Sequence, residues 1–482
     1  MRIPAKLIAG FGVSAGARIV QLAFGFLSIV QIARSLQLSE LGEYYIVSAF
    51  GIAASFIAFS FLSSGIQRLT PHDAEGARDF TKTLFVPSLI GCLAFLGVSV
   101  ATQLAGSALP PWCRLACGAL AYALGETIFS QFTYLVSTRS DHTGYFIAVC
   151  LRSILVLGGV WVMAATLPIE HREASTVILL YAGSALVSVV ASSRYLRQSI
   201  RDGFFKPTYI KEALIFCWPV MTAQLFRQPL ERGDRLLVGY LLGPAAAGQY
   251  SLASDLARRV IQGVTINARL VLGRRAVVAF DKGDSEETRA SIRLVVASVL
   301  MIGIPLAGGI SAFGPEFVAP LLKKSLHGSA TMVLRVASLA YLIEAIRTCV
   351  LDLVLEITRR TRWQIAISIS GLAVQVAGIF LLSHTYGIIG VSMAVAASQL
   401  ASFVIAGVLA RKALPGMVPL VMPLAIVAIG YLFFSGARLA SGSSMIGNIA
   451  AGAVAGILAV VLAFLVVGGN RAQPPRAEEA VP

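Results

Sequence analysis

Leu242-Gly-Pro-Ala-Ala-Ala-Gly-Gln-Tyr250 is the stretch on which the fold turns. Beside it stands Leu36-Gln-Leu-Ser-Glu-Leu-Gly-Glu-Tyr44, with Gly42/Gly248 and Tyr44/Tyr250 in register at a shift of 206 residues. Each stretch closes one apolar segment and opens the next. A second match follows at a shift of 220: Thr138-Arg139 answers Thr358-Arg359, and Gly158 answers Gly378. Two matches in the same order, both anchored at loops, predict two copies of one unit.

Working outward, apolar segments long enough to cross a bilayer (about 20 residues) recur along the whole chain. Fourteen are readable, near 8–33, 44–66, 82–104, 112–137, 144–166, 174–197, 214–242, 246–272, 290–313, 327–355, 363–383, 388–410, 417–437 and 444–468. Hydrophobic residues make up 57% of the 482 and charged residues 13%. Soluble domains are about 25% charged, so this chain cannot cover a water-facing surface. The expectation is an all-α integral membrane protein of about 14 transmembrane helices. Two six-helix lobes, 1–205 and 206–412, are related by a parallel pseudo-two-fold repeat, because six spans return the chain to the same side. Spans at 413–468 add two C-terminal helices, and 469–482 reads as a disordered cytoplasmic tail. The start of the chain reads as a retained anchor rather than a cleaved signal.

The net charge of +15 suggests an anionic partner, but placement explains most of it. With the N-terminus taken as cytoplasmic, cytoplasmic segments hold 23 Lys and Arg residues. The opposite loops hold six: Arg34, Arg114, Arg172, Lys323, Lys324 and Arg438. That alternation is the positive-inside pattern and places both termini in the cytoplasm. The loop charges meet membrane lipids, and no nucleic-acid partner is implied. Cys92, Cys113, Cys117, Cys150, Cys217 and Cys349 lie scattered in apolar stretches, and the five histidines lack ligand spacing. Neither a disulfide framework nor a metal site is expected.

Ten arginines remain inside the spans. An Arg at the bilayer centre costs about 2.5–3.5 kcal/mol on insertion scales, so each must meet protein or water. At 1.5 Å per residue, Arg18 lies about 15 Å into its span, Arg227 about 20 Å, Arg258 and Arg259 about 18–20 Å, and Arg152 and Arg335 about 12 Å. Local acids answer some of them. Glu231 is four residues from both Arg227 and Arg235, and Asp255 is three and four from Arg258 and Arg259. Arg235 and Arg347 read as structural ion pairs. Arg18, Arg152 and Arg227 read as lining a hydrated cationic cavity between the halves, with Arg258 and Arg259 beside them as substrate-binding candidates. Guanidinium forks suit phosphate oxygens. Glu126, Asp255 and Glu344 are the protonatable candidates for coupling to H+ or Na+, with no cofactor required. Pro219 and Pro229 are expected to bend the seventh span, which makes Pro229, Asp234 and Arg235 gating candidates.

Asp234-Arg-Leu-Leu-Val-Gly-Tyr-Leu-Leu-Gly-Pro-Ala-Ala-Ala-Gly-Gln-Tyr-Ser-Leu-Ala253 closely resembles the span 7–8 signature of bacterial polysaccharide flippases, and Ala33-Arg-Ser-Leu through Gly42-Glu-Tyr44 resembles its counterpart after span 1. These are the Wzx-like polysaccharide transporters, whose superfamily also holds multidrug exporters and lipid II flippases. The resemblance implies a flippase, not an enzyme, in the bacterial inner membrane. Its cargo would be an undecaprenyl-pyrophosphate-linked oligosaccharide, moved from the inner to the outer leaflet for polysaccharide export (lipopolysaccharide or exopolysaccharide). A polysaccharide polymerase and a chain-length regulator would be its partners. Carried over residue by residue are Arg18, at an often basic position of span 1, and the Asp234-Arg235 pair. Two rival readings are a multidrug exporter of the same superfamily and a membrane polysaccharide polymerase. The first usually keeps acids in spans 1 and 7, whereas span 1 here holds Arg18 and no acid. The second generally needs a long extramembrane loop, and none is present.

Overall fold

The computed structural model describes residues 5–69, 74–105, 111–138, 142–195, 201–318, 328–358, 360 and 362–415. Among these residues the chain is helical, with no strand. In chain order the helices are α1 (Ala5–Ser35), α2 (Leu38–Leu69), α3 (Ala74–Leu104), α4 (Pro111–Thr138), α5 (His142–Thr166), α6 (Ala174–Ala191), α7 (Pro207–Leu242), α8 (Pro244–Asp281) and α9 (Ser285–Val318). The next, α10, runs Gly328–Ile346, passes through a π-helical turn at Arg347–Leu351 and ends as Asp352–Ile357. The helical stretch Arg362–Ala413 is broken at Gly387, where φ is 54° and ψ is −136°, into α11 (362–386) and α12 (388–413). These twelve follow the first twelve sequence segments in order. Segments 417–437 and 444–468 and the tail lie outside the described residues.

Among the described residues, six helical stretches are long and apolar enough to cross a membrane by length and composition alone, Arg362–Ala413 among them. Helices α7, α8 and α10 are diluted by the very arginines and acids that set them apart. Pro219 and Pro229 both lie inside α7, whose helical assignment is continuous from Pro207 to Leu242. Proline at position 207 opens that helix, where its missing N–H is no loss.

The described residues form two compact units. The first holds α1–α7, the opening of α8 through Leu252, and residues 375–391. The second holds α8 from Ala253, α9, α10 from Ala330, α11 to Val374 and α12 from Ser392. In the first unit α4 is central, packing on α2, α3 and α6, while α1 packs on α5 and α7 on α2. Its core is built from Phe80, Leu84 and Phe85 of α3, Ile128, Phe129 and Phe132 of α4, and Val189 of α6.

The repeat has a structural counterpart inside this unit. A Cβ on Gly42 would overlap the Pro244 carbonyl, and a Cβ on Gly248 would meet the Leu38 carbonyl oxygen at 2.7 Å. Leu38 and Pro244 are themselves equivalent under the 206-residue shift. The starts of α2 and α8 therefore cross backbone to backbone, each glycine receiving the first turn of the other helix. Reciprocity of this kind is what a two-fold relation requires. Gly243, at φ 87°, makes the turn that delivers α8 to the crossing.

Candidate functional site

The signature that opened the sequence reading folds into one hydrogen-bonded knot. Asp234 of α7 is 2% exposed. Its Oδ1 accepts the Arg235 backbone N–H at 2.9 Å, and its Oδ2 accepts the Tyr250 hydroxyl at 2.6 Å. The Arg235 guanidinium stacks over the Tyr45 ring at 5.5 Å, an attraction of the cation for the ring face. The recurrent tyrosine of the second copy thus fixes α8 to α7, and Tyr45, next to that of the first copy, fixes α2 to α7. Arg235 is engaged through an aromatic face, and the local carboxylate beside it bonds the Tyr250 hydroxyl and a backbone N–H. In this geometry Asp234 and Arg235 join α7 to α8 and α2.

Arg152 does not stand alone. Its guanidinium grips Glu126 of α4 through both amino groups, NH1 to Oε2 at 3.2 Å, and lies 4.3 Å from the Phe129 ring centroid. Twenty-six residues separate the two partners, so no helical spacing betrays the pair. Arg227 does meet the acid that spacing offered: its Nε donates to Glu231 at 2.6 Å. The side chain is still 45% exposed. The backbone of Arg18 lies within α1, and its side chain is outside the described residues.

In the second unit, Asp255 takes Arg259 at 3.9 Å. Arg258 reaches α10, donating to Glu344 at 3.4 Å and, along its own helix, to Gln262 at 2.9 Å. Tyr341 lies beneath it at 5.7 Å and hydrogen-bonds the Ser254 hydroxyl. About three turns further along α8, Arg269 donates to both Glu356 oxygens at 2.7 Å and to the Thr348 carbonyl at 2.5 Å. Arg347 and Asp352 pair at 3.2 Å while almost fully buried, five residues apart. An ordinary α-helix would not align that spacing. The π-helical turn between them, with its i to i+5 period, does.

The three protonatable candidates, Glu126, Asp255 and Glu344, are therefore each held by an arginine. The arginines divide by exposure. Arg152, Arg258 and Arg347 are packed into ion pairs, whereas Arg227 and Arg259 keep close to half of their side chains accessible.

Arg335 of α10 belongs to neither class. Its Nε is buried with no hydrogen-bond partner, and it forms no ion pair among the described residues. Sequence reasoning noted its depth but did not select it. The available signal was the absence of any acid within one turn. Among the described residues no cluster of His, Cys, Asp or Glu could hold a metal ion.

Comparison with known proteins identifies the fold. The structure of the lipid II flippase MurJ in an inward closed conformation superposes with a TM-score of 0.71, covering 95% of this chain and 98% of that one at 12% identity. An inward-facing multidrug resistance MATE family transporter of the MOP superfamily gives 0.59, covering 83% and 97% at 15% identity. An outward-facing structure from that transporter family gives 0.55, covering 84% and 94% at 15% identity. No curated protein matches at the sequence level. At these identities the likeness establishes a multi-pass membrane transporter fold. The profile of a family described as "Polysaccharide biosynthesis protein" matches residues 31–331, more than half of the chain, and includes both glycine-tyrosine stretches and the Asp234-Arg235 knot. The chain belongs to that polysaccharide biosynthesis family and has the fold of the MOP-superfamily transporters.

Proposed function

We propose that the protein is a lipid-linked oligosaccharide flippase of the bacterial inner membrane. It carries an undecaprenyl-pyrophosphate-linked saccharide from the cytoplasmic to the outer leaflet, by alternating access of two lobes (1–205 and 206–412) around a cationic cavity, and feeds polysaccharide synthesis and export. The observation that carries this reading is the conjunction of a polysaccharide biosynthesis family with arginines deep in a transporter fold. A pyrophosphate crossing the apolar layer needs compensating charge, and guanidinium groups supply it bidentately. Arg227 and Arg259, each close to half exposed beside its acid, and Arg335, whose buried Nε has no hydrogen-bond partner, are the candidate forks. Arg18 joins them from its position in α1. Arg152 and Arg258 act through Glu126 and Glu344, as the charge partners that an entering H+ or Na+ would displace. A polymerase and a chain-length regulator would use the product.

The test combines export and transport. In a strain lacking the chromosomal copy, the triple variant Arg227→Ala, Arg259→Ala, Arg335→Ala is expected to reach the membrane in normal amount and to lose polysaccharide export, with the lipid-linked precursor trapped inside. In proteoliposomes, flipping by the native protein is expected to fall when the proton and sodium gradients are both collapsed. Normal export by the triple variant would refute the cationic route, and gradient-independent flipping would refute ion coupling. A multidrug exporter is the second reading, favoured by the match to MATE structures. It would show as drug resistance conferred by the native protein with no precursor accumulating in its absence.

A further inference from the structure

A cavity of about 650 Å³ opens in the first unit, away from the in-span arginines and acids discussed above. Its apolar wall comes from Phe85 and Leu89, one turn apart on α3, and from Val189 and Val190 on the last turn of α6; Arg194 and Arg201 border it. The volume is in the range of sites that enclose small ligands. One wall is hydrocarbon and the rim is cationic.

The rim is built, not incidental. After α6 the chain makes a short 3-10 turn, Ser193–Tyr195, which carries Arg194. Arg201 stands just ahead of a segment strapped onto the first turns of α3. The Phe204 N–H donates to Asp79 Oδ1 at 2.6 Å, the Lys206 N–H donates to Thr83 Oγ1 at 2.9 Å, and the Lys206 ammonium meets Asp79 Oδ2 at 2.6 Å. The hydrogen bond that the Lys206 ammonium donates to Asp79 holds its pKa above the ordinary lysine range. Lys206 is thus bound to α3, and Arg194 and Arg201 are exposed at the cavity. Beside them Phe204 is 68% exposed and Phe205 51%. Exposed phenyl rings beside basic residues fit a surface that meets the boundary between acyl chains and anionic headgroups.

We propose that this cleft binds one anionic phospholipid of the leaflet that the basic face meets, phosphatidylglycerol or cardiolipin in chemical class. The phosphate lies between the Arg194 and Arg201 forks and the first part of an acyl chain lies along Phe85, Leu89 and Val189. Basic pockets between membrane helices select such headgroups, because the guanidinium geometry matches a phosphodiester and the walls accept the chain. A free phosphate would satisfy the rim and leave the apolar wall without a partner, which is why the lipid is the occupant. The site is distinct from the in-span arginines proposed to meet the cargo, so the two ideas fail separately.

Native mass spectrometry of the detergent-purified full chain, titrated with phosphatidylglycerol or phosphatidylethanolamine, tests it. The native protein is expected to retain one phosphatidylglycerol above the background of loosely bound lipid, and phosphatidylethanolamine to give background only. The double variant Arg194→Ala, Arg201→Ala is expected to weaken that event about tenfold or more. Val190→Trp, at a partly exposed wall position, is expected to do the same with both charges kept. The control Arg275→Ala, Arg289→Ala, elsewhere on the chain, is expected to change nothing. Unchanged binding in both site variants, an equal loss in the control, or displacement by inorganic phosphate alone would overturn the proposal. Melting temperatures of the lipid-free variants within a few degrees of the native value confirm that the comparison is between folded proteins.

Discussion

Glu126 and Arg152 face each other from α4 and α5 with most of each side chain withdrawn from solvent, which makes the pair costly to break. Two charges taken out of water are compensated only by each other and by Phe129 beneath the guanidinium. Removing one partner strands the other, and Arg152→Ala is expected to lower stability by roughly 3–5 kcal/mol. The apolar double replacement Glu126→Leu, Arg152→Met is expected to recover most of that loss, because it removes the uncompensated charge together with the pair. Thermal unfolding of the purified variants in detergent measures both. A double variant as unstable as the single one would show that the pair is not the stabilising unit. Arg335 is the contrasting case. It already leaves a buried Nε unsatisfied, a penalty on the order of 1–3 kcal/mol, so stability alone gives no reason to keep an arginine there. A residue retained against its own folding energy points to a task performed when something else fills its hydrogen-bonding site.

At the scale of elements, the α2–α8 crossing depends on two hydrogen atoms. Gly42→Ala places a methyl group into the Pro244 carbonyl, and both contact atoms belong to backbone, which cannot rotate away. Overpacking of this kind costs about 1–3 kcal/mol, more than the roughly 0.5–1 kcal/mol that alanine returns as a better helix former. Gly42→Ala is therefore expected to destabilise on balance, and Gly248→Ala to do so by less, since its 2.7 Å approach to Leu38 is looser. Equal melting temperatures for native protein and Gly42→Ala would remove the argument. This crossing was legible in the sequence because close backbone approach demands glycine, and a glycine repeated at a fixed shift is a visible mark. Helix positions were legible for a similar reason: hydropathy acts through the length of a span, which a chain displays directly. Partners across helices were not. Glu126 and Arg152 stand 26 residues apart, and Arg258 and Glu344 86, and nothing in either segment states which face of a helix meets which neighbour. The spacing of three and four residues named Arg227–Glu231 and Arg259–Asp255 correctly, but it could not name Glu344 on α10 as a partner of Arg258. The π-helical turn that joins Arg347 to Asp352 had no sequence signal, since it is a local choice of hydrogen bonding made under packing.

For the whole molecule, charge does two different jobs, and the distinction decides its orientation. The arginines within helices are mostly answered by acids, whereas the loop charges gather on alternate connections and act on the membrane. Excess Lys and Arg resist translocation, so the connections that carry them stay on the side of synthesis. The connection from α8 to α9, which contains Lys282, belongs to the basic set. The connection from α5 to α6, which contains Glu170, belongs to the other. Both positions are exposed, so a cysteine at either accepts a maleimide without unfolding. In intact cells, a membrane-impermeant maleimide is expected to label Glu170→Cys and to leave Lys282→Cys unlabelled until the membrane is opened. The native cysteines are no obstacle: Cys92, Cys217 and Cys349 are buried, and Cys113, Cys117 and Cys150 can be replaced by serine. The opposite labelling would invert every connection at once, because Glu170 and Lys282 are divided by three crossings, α6 through α8, and must lie on opposite sides in either orientation. Labelling of both from outside would instead remove a crossing from α6, α7 or α8, and the arginine-bearing α7 and α8 are where such a failure would have to be sought.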